Sequence, residues 1–210
     1  MTTDHRAATG ASHEQTVPGF GRVLIRPLDP AGDAEVVHGW VAEERSRFWG
    51  MVGHSRRQVQ EIYEFVDSLT THHAYLVLLD HSPVALLQTY RPEHDPLGGF
   101  YRVEPGDLGI HLLTAPAQGA PRPGHTSSLM AVLLGFLLAD PAVHRIVAEP
   151  DTRNEKSIER LRRTGFEPGP EIDLPEKRAR LFFLPRAAAG ALRLRHGASG
   201  KADGADRPPG

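Results

Sequence analysis

The stretch RIVAEPDTRN, residues 145–154, decides how the chain is built. A short apolar run stops at Pro150, and an acid, an arginine and an asparagine follow. A helical pattern then opens in EKSIERLRRTGF, with Asn154 placed as its N-cap. Ile158 and Leu161 face inward on that helix, while Arg160, Arg162 and Arg163 read as a solvated outer face. Upstream, TSSLMAVLLGFLLAD (126–140) carries a buried stripe of Leu129, Val132, Leu133, Phe136 and Leu137 at steps of three and four. Before it, DLGIHLLT (107–114) reads as a strand. Strand, helix and strand in this order predict a right-handed crossover between parallel neighbours. Ligands of such units bind beyond the carboxyl ends of the strands, where Asp151 lies.

Further out, RVLIRPL (22–28) is a strand, and DAEVVHGWVAEE (33–44) and RRQVQEIYEFVDSL (56–69) are amphipathic helices. AYLVLLD (74–80) and PVALLQTYRP (83–92) form a hairpin, and GPEIDLPE and KRARLFFLP close the chain as a strand pair. The order β-α-α-β-β-β-α-β-α-β-β predicts an α/β domain with a mixed sheet and helices on both faces. It spans residues 21–186. Residues 1–20 and 187–210 are polar, small or Gly/Ala/Asp-rich and read as disordered tails, with RAAAGALRLR (186–195) a frayed helix leading into the second.

The chain has 210 residues, 40% hydrophobic and 24% charged, with a formal net charge of −2, so one full core and no strongly basic face are expected. This argues against a nucleic-acid partner. No window reaches the length of a membrane span, and the N-terminus lacks an apolar secretory core, so a cytoplasmic protein is the default expectation. Cysteine is absent, which excludes disulfides, thiolate metal sites and an acyl-cysteine intermediate. The twelve histidines show no ligand spacing, and no metal site is expected. His72 and His73 read as surface residues near a helix end.

Several residues are candidates for chemistry. APAQGAPRPGH, just before the long helix, supplies Gly119, Gly124, His125 and the cation Arg122, with Thr126, Ser127 and Ser128 in the first turn. Such a loop is either an anion site at a helix N-terminus or an ordinary β-to-α connection. His111 shares a strand face with Gly109 and Leu113. A lone histidine there is most often a satisfied core residue, and Asp151 by itself is an ordinary turn cap. Together they point towards one cleft.

These residues carry a resemblance. The strand, Gly-rich loop and helix of 107–140, followed by RIVAEPDTRN and RLRRTGF, resemble the acyl-CoA core of the GNAT acyltransferases, a fold with a central mixed, mostly antiparallel sheet flanked by helices on both faces. More narrowly, GDLGIHLL, EPDTRN, LRRTGFE and EIDLPEKRARL resemble the siderophore branch, over about residues 22–186, with the desferrioxamine-type enzymes most similar. That branch acylates N-hydroxylated diamines or amino acids to hydroxamates.

The resemblance implies acetyl- or succinyl-CoA as donor, N-hydroxycadaverine or N6-hydroxylysine as acceptor, no metal, and a monomer or homodimer. It implies Asp151 and His111 as catalytic residues. It assigns the donor to a backbone amide near Leu113, to Arg122, Gly124, His125, Thr126 and Ser127, and to Asn154 and Ser157. It places Trp49, Gln88, Tyr90, Lys177 and Arg178 towards the acceptor or the acyl group. One departure stands out: Pro121 and Pro123 donate no amide within the phosphate loop. Two other functions fit the same fold, an aminoglycoside-type or other small-amine acetyltransferase and a catalytically idle acyl-CoA sensor.

Overall fold

The computed structural model describes residues 12–116 and 124–189. In chain order the elements are β1 (His13–Val17), β2 (Gly21–Pro27), α1 (Ala34–Val41), a 3-10 segment (Glu44–Trp49), α2 (Arg56–Ser68), β3 (His72–Leu79), β4 (Ser82–Tyr90), β5 (Asp107–Thr114), α3 (His125–Leu137), β6 (Arg145–Ala148), α4 (Glu155–Arg163), β7 (Glu167–Asp173) and β8 (Arg178–Pro185). The strands form one sheet in the order β1-β2-β3-β4-β5-β6-β8-β7. Every neighbouring pair is antiparallel except β5 and β6, the two strands that flank the α3 crossover.

Two edges depart from the expected tails. The polar segment HEQTV forms β1, held by its backbone ladder to β2 and by Glu14 against Arg22 at 2.7 Å. A charged edge strand of this kind shows no apolar alternation, so hydrophobic period cannot reveal it. At the other end residues 186–189 are helical, and Ala189 is buried in the core. His72 and His73 follow soon after the Leu69 cap of α2, but they open β3 and are half-buried rather than on the surface, and the His72 ring stacks on Tyr90 at 5.8 Å.

The sheet buries both faces. On one, Val23, Ile25, Val77, Leu87, Ile110, Ile146 and Phe182 meet Leu129, Met130, Leu133 and Leu137 of α3 and Leu161 of α4. On the other, Val37, Trp40 and Val41 of α1 and Val59 and Tyr63 of α2 cover Leu76 and Leu86. Each such aliphatic side chain contributes about 1.5–3 kcal/mol of burial. Further along this second face a smaller cluster of Tyr90, Leu97, Val147, Ile172 and Leu181 closes the sheet. The cleft opens on this face, bordered by Phe48 and Trp49 at the end of the 3-10 segment.

Candidate active site

Pairing between β5 and β6 covers only Asp107 with Arg145, Leu108 with Ile146 and Gly109 with Val147. Beyond Gly109, β5 continues to Thr114 bound to β4 alone. Meanwhile the chain after β6 stays with β8, through Arg180 N–H to the Pro150 carbonyl (3.0 Å) and Thr152 N–H to the Arg178 carbonyl (2.9 Å). The two strands therefore part, each holding its other neighbour.

The alternation of ladder bonds fixes which backbone groups face this gap. Ala115 donates to Val84 at 2.8 Å, so the odd-numbered residues of β5 bond to β4. The Leu112 amide consequently faces the gap, whereas that of Leu113 belongs to β4. Of the two residues, Leu112 rather than Leu113 turns its amide to the gap. By the same alternation, the bonds at Pro150 and Thr152 leave the Glu149 amide on the gap side.

A cleft of about 360 Å³ passes through the gap. On the α1/α2 side its wall carries Trp49, Met51, Gln88, His111, Glu149, Asp151, Glu176 and Lys177. On the α3/α4 side it carries Ile110, Leu112, Met130, Ala148, Asn154, Ser157, Arg160 and Leu161. One passage joins the two faces of the sheet.

Glu149 organises the first side. Buried on the face of Val147, it receives His111 Nε2 in a very short hydrogen bond, the Tyr90 hydroxyl at 2.6 Å and Lys177 Nζ at 3.3 Å. Burial alone would raise its pKa, but the charge and hydrogen bond of His111, then Lys177 and Tyr90, hold it down at about 2. Tyr90 is pushed well above its ordinary value by burial and by this carboxylate, so it stays a donor. The geometry needs Gly109: a Cβ there would lie 2.2 Å from the Tyr90 ring, which crosses that backbone to reach Glu149. His111 Nδ1 lies 3.4 Å from the Gln88 side-chain oxygen, and Trp49 meets the imidazole edge-on at 6.2 Å. Trp49 is also anchored, donating to the buried Tyr63 hydroxyl at 3.2 Å.

The candidates divide accordingly. His111, Gln88, Trp49, Lys177, Asp151, Asn154 and Ser157 are gathered in the wall of one cleft. Asp151, however, is engaged by its own turn: Arg153 bonds it through the backbone amide (2.8 Å) and through both sides of its guanidinium (2.9 and 2.6 Å). These contacts lower its pKa and occupy its oxygens. Arg153 lies 5.8 Å over the Phe48 ring, another cleft residue. Tyr90 is buried behind Glu149 rather than lining the cleft. Arg178 is turned away, exposed and paired with Glu171 at 2.9 Å. Asn154 caps α4 by accepting the Ser157 amide at 3.2 Å.

At the start of α3, Gly124 is left-handed (φ 78°) and, among the described residues, no side chain caps the first amides. Thr126 and Ser127 are exposed in the first turn, and the His125 ring turns to Phe20 at 5.0 Å. Arg122 and Gly119 lie outside the described residues.

Among the cleft residues that escaped the sequence reading are Glu149 and Arg160. Glu149 shares the strand parity of Asp151 yet sits inside the apolar run, and an acid there must find an internal partner. That was the available signal. Arg160 lines the cleft instead of the outer helix face, a placement that helical period two residues from a polar stripe does not resolve.

Comparison with known proteins bears on the same residues. A family model described as "Acetyltransferase (GNAT) domain" matches residues 29–174. The chain is 30% identical over 181 residues to an N(6)-hydroxylysine O-acetyltransferase of Escherichia coli, covering 84% of this chain and 56% of that protein. It is 31% identical over 115 residues to an N-hydroxyputrescine acetyltransferase of Acinetobacter baumannii, covering 54% of each. The chain thus spans little more than half the length of these curated relatives. An uncharacterized protein from Bacillus halodurans superposes with a TM-score of 0.81 at 22% identity, over 91% of this chain and 98% of that one. By the family model, over most of its described length, the chain belongs to the GNAT acetyltransferase family.

Proposed function

We propose that the protein transfers an acyl group from acyl-CoA to the nitrogen of an N-hydroxylated amine, forming a hydroxamate in siderophore biosynthesis. N-hydroxycadaverine is the favoured acceptor, with N6-hydroxylysine next, and acetyl- or succinyl-CoA is the donor. The observation that carries this reading is the passage between β5 and β6, with the His111 imidazole held by the buried Glu149 carboxylate on one side and the capped end of α4 on the other. The names of the two relatives support the acceptor class.

The backbone suits a donor with a thioester at the end of a polyamide arm. The Leu112 and Glu149 amides face a gap in which no strand bonds them, as an extended arm with its own amides requires. Leu112 is placed to donate to the thioester carbonyl as negative charge develops there. The start of α3, uncapped among the described residues, suits phosphate. The chain has no cysteine, so the nitrogen attacks the thioester directly and the CoA thiolate departs.

Glu149 accepts the Nε2 proton of His111 and leaves Nδ1 to take a proton, which it can then donate to the Gln88 side-chain oxygen 3.4 Å away. His111 takes the proton lost by the attacking nitrogen, and Glu149 supports the charge that forms. General base help of this kind contributes about 10²–10⁴-fold. Trp49 and Met51 exclude water from the acceptor side, and Lys177 neutralises Glu149 between turnovers. Asp151 builds the turn that holds Arg153 against Phe48 and need not move a proton.

An aminoglycoside-type acceptor finds little here, because Glu149 and Asp151 are both committed to cations, leaving the exposed Glu176 as the remaining acid of the cleft wall. The test is product identity. Incubation of N-hydroxycadaverine and acetyl-CoA should release CoA thiol and give a product that forms a coloured ferric complex, as a hydroxamate does. An O-acylated product, silent to iron, or equal turnover of plain cadaverine would refute the assignment.

A further inference from the structure

Half-buried arginines in this molecule are satisfied by their surroundings. Arg26 grips Asp33 at 2.7 Å, Arg145 grips Asp107 at 2.7 Å, and Arg186 bonds the carbonyls of Val143 and Leu138. Arg160 breaks the pattern. Its neighbours Arg162 and Arg163 are exposed, and Arg163 pairs with Glu159 at 2.7 Å. Arg160 instead continues the stripe of Asn154 and Ser157 along α4 into the cleft wall, beside Met130, Ala148 and Leu161. Among the described residues its guanidinium has no hydrogen-bond or ion-pair partner. Burial lowers its pKa with no nearby anion to oppose the effect.

A partly buried guanidinium set beside Met130, Ala148 and Leu161 with no anionic partner is costly unless an anion arrives from outside. Its fork geometry matches an oxyanion carried by a ligand. We infer that Arg160 is an anion-binding residue of the donor side of the cleft, gripping a phosphate or carboxylate oxygen of the acyl-CoA. This rests on the reading of acyl-CoA as donor. It would also offset the loop prolines 121 and 123, which have no amide to give phosphate. Two parts of the donor carry such oxygens: the phosphates of CoA itself, and the terminal carboxylate of a dicarboxylic acyl group such as succinyl.

The experiment measures dissociation constants of CoA, acetyl-CoA, succinyl-CoA and the phosphate-free S-acetylpantetheine on the full chain and on Arg160→Gln and Arg160→Lys. Arg160→Gln is expected to weaken anionic donors by about 10- to 100-fold and Arg160→Lys to recover part of the loss. Equal loss for CoA, acetyl-CoA and succinyl-CoA identifies phosphate; loss confined to succinyl-CoA identifies the acyl carboxylate. Both support the inference. Unchanged constants for every donor overturn it while leaving the proposed function standing. An equal loss for S-acetylpantetheine also overturns it, since that ligand has no anion to lose. A wild-type chain that binds no CoA compound overturns both.

Discussion

Glu149 meets the Nε2 of His111 across two strands that have already stopped pairing, the last register pair being Gly109 with Val147. The side chains thus bridge a gap that the backbones have opened. Val147 and Glu149 share one face of β6, as Gly109 and His111 do on β5, so the parallel register delivers both groups to the same side. What the ladder loses beyond Gly109 becomes a passage, and the pair stands at its lip.

Proton handling by this pair separates two acids that lie two residues apart. Glu149→Gln should lower kcat by about 10²-fold or more, because an amide no longer supports a charged imidazole. Asp151→Asn should stay within about tenfold of wild type, since its carboxylate serves a turn and an exposed arginine. Steady-state thiol release on both variants decides the matter. The reverse order would return the proton role to Asp151.

His111→Ala should reduce kcat by about 10²–10⁴-fold while the dissociation constant of acetyl-CoA changes less than about threefold. In the proposed function the donor lies chiefly against the α3/α4 face of the sheet, so its affinity should not depend on the imidazole. Parallel kinetics and calorimetry check both halves of the statement.

Stability should respond to acid through Glu149. Its folded pKa is depressed from 4.5 to about 2, so its contribution is present above the unfolded value and is lost as pH falls through that window. The melting temperature of the wild type should therefore fall between pH 4.5 and about 2 more steeply than that of Glu149→Gln. Asp151 and Asp33 are also depressed and should leave a residual slope in the variant. Thermal melts across that range read the difference.

Gly109→Ala should damage the site from behind. The added methyl would fall on the Tyr90 ring, forcing it away from Glu149, at a cost of about 1–3 kcal/mol. Tyr90→Phe keeps the packing and removes only the 2.6 Å bond to the carboxylate. Melting temperature should drop more for Gly109→Ala, while both variants should lose activity.

The layout of the fold was legible because its strongest signals are periodic. Leu129, Val132, Leu133 and Leu137 announced α3, and the strand on either side followed from apolar runs ending in Pro or Gly-rich loops. β1 was not legible, since its partners are backbone groups and an ion pair. In the cleft, His111 was found by strand parity. Glu149 was overlooked because an acid closer to the turn, Asp151, drew the same argument, although parity admits both. Arg160 was placed outside because α4 presents three arginines and only tertiary packing distinguishes the one beside Met130.

The most direct measurement is the initial rate of hydroxamate formation from N-hydroxycadaverine and saturating acetyl-CoA, wild type against Glu149→Gln, with acetyl-CoA affinity measured on the same samples. A loss of about 100-fold in rate with affinity unchanged within about twofold is the outcome required of a carboxylate that works through His111. Equal rates would show that the His111–Glu149 pair holds the strands in place and takes no part in acyl transfer.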